Sequence, residues 1–240
     1  MQSKATLETI LSHRSIRKFS SQSIPADIFE QLIDAGRQAS TSNHLQCVSI
    51  IRVTDKGIRE AISQASGMRY VEECAEFLVF CIDFQKHKQL FPEAQIEWAE
   101  LVLIGAVDTG IMAQNVLLAA ESLGLGGVYI GALRNQIEQV STLLYLPQYC
   151  VPLVGLCLGY PAQDPPLKPR LPTNLVCYEN RYPEILDKES LSDYNNQLQH
   201  YYEQRSGISL TWTDSIKKAL SSPVRPHILP YLQQQGLLKK

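Results

Sequence analysis

The stretch GLGGVYIGA, Gly124–Ala132, decides between the two architectures open to this chain. A Rossmann phosphate loop places GxGxxG after a strand and before a helix. Here the order is reversed. A helix-forming apolar run ends at Gly124, more glycines follow, Val128–Ile130 reads as a short strand, and Gly131 comes after it. Gly124 to Gly127 tolerate left-handed dihedrals, so the stretch reads as a helix C-cap and a strand start. It reads equally as a backbone that approaches a flat ligand, because Gly131 has no side chain to block it.

Outward from this stretch, strand and helix signals alternate. Ile96–Gly124 predicts a long helix. Its apolar part, Leu101–Leu125, is interrupted by Glu100, Asp108, Gln114, Asn115 and Glu121, each costly in lipid, so it is expected to be a buried core helix. Glu76–Phe84 (EFLVFCIDF) is continuously apolar, as expected of a strand covered on both faces. Cys47–Val53 and Val151–Tyr160 read as further strands. Thr6–Ser12 is a short helix with Thr6 as its N-cap, Pro25 opens another, and Asp55 caps a third through Ser66. Arg134–Leu144 is a helix that Pro147 stops.

The composition changes at Pro161, where five prolines fall within a dozen residues; polar helices follow at Ser190–Glu203, Trp212–Leu220 and His227–Gln235. The pattern suggests an α+β sandwich on a mostly antiparallel sheet, with a doubly wound nucleotide fold as competitor. Residues 1–160 form the expected core. Residues 161–240 form an arm and helices of the same domain, which embrace a partner subunit or cover their own chain.

A formal net charge of −2 gives no reason to expect nucleic acid or an anionic membrane as partner. The N-terminus carries no long apolar run of the signal-peptide kind. The six cysteines form no CxxC pair, which fits buried thiols in a reducing cytoplasm. No histidine pair has metal-ligand spacing, so no metal is expected.

Two basic clusters stand out. His13-Arg14-Ser15-Ile16-Arg17 is either a solvated turn or an anion cradle, since arginine offers a rigid donor fork to phosphate oxygens and serine adds a donor. Lys168-Pro169-Arg170 places two cations on one side of an extended chain, again as a solvated pair or as part of a phosphate site. No nucleophile with its base is visible, so no side chain is expected to carry the chemistry. A bound flavin would supply it, leaving the protein to bind, orient and tune.

HRSIRKF, LQCVSIIRVTDK, AEFLVFCIDF, AESLGLGGVYIGALR, PLVGLCLGYP and LKPRLP occur in the order and spacing of the group A nitroreductase/NADPH–FMN oxidoreductases. The chain resembles that family over essentially its whole length. The resemblance implies a nitroreductase-like sandwich in a homodimer with a swapped C-terminal arm, and FMN at the dimer interface. His13, Arg14 and Ser15 match phosphate and ribityl contacts, and Arg17 matches a basic residue at the flavin pyrimidine edge. Ser42 and Asn43 match a stretch that approaches the ring; here Thr41-Ser42-Asn43-His44 departs from the usual serine-rich run. Tyr70 is expected to pack nearby, while Met68 replaces a glutamine common in relatives. Tyr129, Ile130 and Gly131 match the strand end facing flavin N5. Lys168 and Arg170 match the second half of the phosphate clamp. Arg205 and Arg225 match residues linked to the 2′-phosphate of NADPH. The implied activity is cytoplasmic reduction of nitroaromatics, quinones or flavins by a two-electron ping-pong cycle, with NADPH as donor. Alternatives are a reductase that supplies free reduced FMN, or a flavin-binding module without activity.

Overall fold

Strand β2 (Glu76–Asp83) forms the centre of the sheet, and its sequence accounts for that: all eight residues are buried, as a strand covered on both faces requires. In the computed structural model, which describes residues 4–240, β2 pairs antiparallel with β1 (Val48–Arg52) and with β4 (Cys150–Gly159). Strand β3 (Gly126–Ile130) adds to β4, giving the order β1-β2-β4-β3 with every pairing antiparallel. A doubly wound fold needs parallel strands, so that competitor is excluded.

The register between β2 and β4 shifts between Phe80 and Cys81. Phe80 opposes Val154 and Cys81 opposes Pro152, so Leu153 is the extra residue of a bulge. A proline cannot donate to a sheet ladder, and a bulge beside it is a usual accommodation. The spare carbonyl of Leu153 accepts from the Arg134 guanidinium.

Helices cover both faces. On one, α2 (Ala26–Arg37) and α6 (Ala99–Ser122) bring Leu32, Val116, Leu117 and Ala120 onto Leu78, Phe80, Leu156 and Leu158. On the other, α3 (Lys56–Ser66) and α7 (Ile137–Leu143) bring Ile62 and Val140 onto Phe77, Val79, Val128 and Ile130. Each fully buried Leu, Ile or Phe contributes about 1.5–3 kcal/mol relative to exposure. The Asp55 carboxylate accepts from the Ile58 amide at 2.9 Å and caps α3 as expected. Helix α1 spans Thr6–Leu11, but its N-cap is Ala5; Thr6 is already helical and does not cap.

One other expectation needs correction. Gly131–Gln136 is a 3-10 turn, and only from Ile137 does the chain become α-helical. The short helices α4 (Tyr70–Glu73) and α5 (Gln85–Leu90) carry too few turns to show a periodicity. Helix α6 is long and apolar enough to cross a membrane by composition, and it packs as the expected core helix, with one face left exposed in the single chain. Gly105, Asp108, Thr109, Ala113, Val116, Leu117 and Ala120 are buried, whereas Leu103, Val107 and Ile111 form an exposed apolar stripe one turn apart.

The chain divides into two compact units. One comprises the sheet and its helices, up to Asp164, together with Arg225–Lys240; the other is Pro165–Val224. Of the arm and helices over 161–240, the last helix, α10 (Ile228–Gln234), belongs to the sheet unit and packs on α7. The second unit is built from α8 (Lys188–Ser206) and α9 (Trp212–Leu220), with Tyr194, Leu198 and Tyr201 as the buried face of α8.

Candidate functional site

The segment His13–Arg17 lies against β3 because β3 begins with glycines. The Ile16 amide donates to the Gly127 carbonyl at 2.9 Å. A Cβ on Gly126 would stand 2.5 Å from Ile16 Cγ1, so any side chain there would push the segment away. Gly124 ends α6 with φ +79°, a left-handed turn that suits glycine. The helix-cap reading of the glycine stretch is met at one position, and a close approach by backbone at another. Gly124 is a cap, and Gly126 admits another part of the same chain.

With Ile16 buried as the anchor, its polar neighbours are directed outward. His13 Nδ1 lies 2.6 Å from Glu121 Oε1, near the C-terminus of α6. Arg14 pairs with Asp164 at 2.7 Å. Ser15 is partly buried and Arg17 is exposed. The Ala162 amide donates to the Lys18 carbonyl and the Ser20 amide to the Tyr160 carbonyl, so residues 18–20 and 160–162 run together beyond β4.

At the far end of β3, alternation sorts the remaining candidates. Ile130 faces the same core cluster as Tyr70, Met68 and Ala132. Tyr129 points to the opposite face, where its hydroxyl donates to Gln114 Oε1 at 3.3 Å. Burial and the Glu121 charge push its phenol well above the usual range. The Tyr70 hydroxyl donates to Met68 Sδ at 2.8 Å, so Met68 engages its neighbour. Where a Gly131 side chain would begin, Arg134 stands 3.4 Å away. Arg225 joins this turn through Asn135 Oδ1 at 2.8 Å. Burial, and then the nearby Arg225 charge, lower the Arg134 guanidinium below its ordinary value. Arg225 and Gly131 are thus brought to one turn.

Ser42 and Asn43 occupy a strained loop. Asn43, His44 and Gln46 have φ of 49°, 56° and 52°, each costing on the order of 1–3 kcal/mol for a non-glycine residue. The buried Asp108 of α6 offsets this strain. It accepts from Thr41 Oγ1 at 2.6 Å and from the Ser42 amide at 3.1 Å. A pocket of ≈ 460 Å³ opens beside the loop, lined among others by Ser40, Thr41, His44, Gln46 and Met112. Sequence reasoning treated Asp108 and Glu121 only as interruptions of an apolar run. An acid inside an apolar helix, and another in its last turn, are both locally unfavourable, and that was the signal to follow.

Lys168, Arg170 and Arg205 belong to the second unit. Lys168 Nζ donates to the Tyr202 hydroxyl at 2.7 Å, and Arg205 Nη1 to the Tyr201 hydroxyl at 2.9 Å. Arg170 shares a pocket of ≈ 170 Å³ with Tyr194, Ser190 and Asp193. Among the described residues no cluster of three or more His, Cys, Asp or Glu could hold a metal ion.

A four-stranded antiparallel sheet between helices, with a basic segment pinned to its edge strand, defines an α+β protein equipped to hold an anionic ligand. The chain belongs to the nitroreductase family. It matches that family over residues 10–91 and 72–160, and the family's C-terminal domain over residues 168–240. It is 51% identical over 238 residues to the NADPH-flavin oxidoreductase of Vibrio harveyi, covering 98% of this chain and 99% of that protein. It is 50% identical over 234 residues to the oxygen-insensitive NADPH nitroreductase of Salmonella typhimurium, covering 96% and 97%. The crystal structure of nitroreductase A from Vibrio parahaemolyticus superposes with a TM-score of 0.95 at 52% identity, covering 99% of each chain.

Proposed function

We propose that this chain is an FMN-dependent NADPH oxidoreductase that reduces nitroaromatics, quinones or flavins, and that it acts as a cytoplasmic homodimer. The observation that carries this reading is the His13–Arg17 segment, fixed by Ile16 to the strand that ends at Ile130, just before Gly131. The donor set fits the cofactor: an imidazole, guanidinium groups and a hydroxyl suit a phosphate dianion. Relatives at 51% and 50% identity carry flavin-oxidoreductase and nitroreductase names, so the reading spans both acceptor classes.

Bound FMN would supply the two-electron redox chemistry between NADPH and the acceptor. His13, Arg14 and Ser15, with Lys168 and Arg170, hold the phosphate and ribityl chain. Arg17 sets a positive charge at the pyrimidine edge, where reduction builds up negative charge. The Gly131 amide is the donor toward N5, with Tyr129 and Ile130 contributing backbone beside it. Ser42 and Asn43, on the loop that Asp108 braces, approach the ring, and Tyr70 packs close by. Arg205 and Arg225 bind the 2′-phosphate of NADPH. No side-chain acid or base is required, because solvent supplies protons.

The exposed stripe Leu103, Val107 and Ile111 supports the homodimer, since an apolar helix face calls for a cover. Five buried free cysteines suit a reducing compartment. The purified protein is expected to be yellow and to bleach on anaerobic addition of NADPH. A colourless protein that takes up no added FMN would refute the reading, and a yellow one that neither NADPH nor NADH reduces would leave only a flavin-binding module.

A further inference from the structure

Glu121 breaks a local rule without a local benefit. It stands in the last turn of α6, where the carbonyl ends of the helix disfavour a carboxylate, and no basic residue in that turn offsets it. Its side chain is only 11% exposed. One oxygen, Oε1, contacts His13 Nδ1 at 2.6 Å; the other, Oε2, is buried and lacks a hydrogen-bond partner among the described residues. The same carboxylate also holds the Tyr129 phenol in its neutral form, second to burial. It borders a pocket of ≈ 190 Å³ together with Ser12 and Arg14. A carboxylate kept under such costs is explained by what it does to its one close partner.

We propose that Glu121 is a positioning residue for the flavin phosphate, acting through His13. The inference rests on His13 being a phosphate contact. A carboxylate on one ring nitrogen fixes the orientation of the imidazole and favours a proton on that nitrogen. With Nδ1–H donated to Glu121, Nε2 becomes the nitrogen that faces a ligand. Only a ring with a hydrogen on both nitrogens donates to the carboxylate and to a phosphate at once, and a hydrogen bond to a phosphate is charge-assisted and roughly twice as strong as a neutral one. The carboxylate itself touches neither phosphate nor flavin. It fixes the orientation of a partly exposed histidine.

The test compares FMN with riboflavin, which lacks the phosphate, by quenching of flavin fluorescence on titration with deflavinated protein. Glu121→Gln should weaken FMN about tenfold, the loss expected for one charge-assisted hydrogen bond, and leave riboflavin within about twofold. In a His13→Ala background the same substitution should cost nothing further, because the two residues act as one unit. Glu121→Met, of similar length, answers the same question should the glutamine variant not fold. Equal losses for FMN and riboflavin would mean a structural role only and overturn the proposal, as would an undiminished preference for FMN or a loss additive with His13→Ala. If the unsubstituted protein binds FMN no better than riboflavin, the phosphate reading of His13 falls first. A wild type that discriminates, beside a Glu121 variant that discriminates equally well, removes only the positioning role.

Discussion

The cations of the sheet unit and those of Pro165–Val224 are held by different kinds of partner. In the sheet unit, His13 lies on Glu121 and Arg14 on Asp164, so carboxylates orient them and offset their charge. In the second unit, Lys168 lies on the hydroxyl and ring of Tyr202, and Arg205 on the hydroxyl and ring of Tyr201. A phenol is neutral at pH 7, so these cations are oriented while their full charge is kept. The difference teaches a division of labour. The first group is held with its charge offset by an acid, and the second keeps an uncompensated charge, whose field salt screens.

Arg17 is the test of largest expected effect, because no carboxylate partner is recorded for it among the described residues, unlike its neighbours in the sheet unit. Arg17→Ala is expected to weaken FMN binding or slow flavin reduction by roughly a hundredfold, the upper end for a hydrogen bond to a charged group. Stopped-flow reduction and flavin titration measure both, and normal values in each would remove Arg17 from the pyrimidine edge. Next comes Arg225, which shares the 3-10 turn with Arg134. Arg225→Ala should raise the KM for NADPH roughly fivefold more than that for NADH, a difference of about 1 kcal/mol; equal changes would show that it does not read the 2′-phosphate. Smallest is Tyr202→Phe, which keeps the ring under Lys168 and removes the hydroxyl. A loss of FMN affinity of about twofold to fivefold, one neutral-partner hydrogen bond, is expected, with its salt dependence unchanged. A steeper salt dependence would mean that the tyrosine had been offsetting charge after all, and the contrast between the units would fail.

Much of the sheet unit was legible from local chemistry. The aspartate at 55 and the proline at 25 mark helix starts that the structure keeps, and the apolar run of β2 announces a strand buried on both faces. Helix α6 shows where such reading stops. Its composition gave its existence and approximate ends, but not that Leu103, Val107 and Ile111 would stay exposed in the single chain, because which side of an apolar helix the other elements reach is set by tertiary packing. The turn at Gly131–Gln136 was hidden for a related reason. Its geometry answers to the bulge at Leu153, whose carbonyl Arg134 satisfies across the sheet. For the site, residue types marked the two basic clusters. The acids behind them, Asp108 and Glu121, could not be tied to Thr41 and His13 without knowing which segments α6 passes.

One continuous rod carries both acids. Asp108 ties down the loop at 41–46 and Glu121 the segment at 13–17, so the gap between those two fixtures is a length of α-helix, roughly 20 Å at about 1.5 Å per residue. Side-chain changes on that rod can tune either end separately. Removing or adding a single residue between them would swing one end about 100° around the axis relative to the other, so the span tolerates substitution while its length is fixed by geometry.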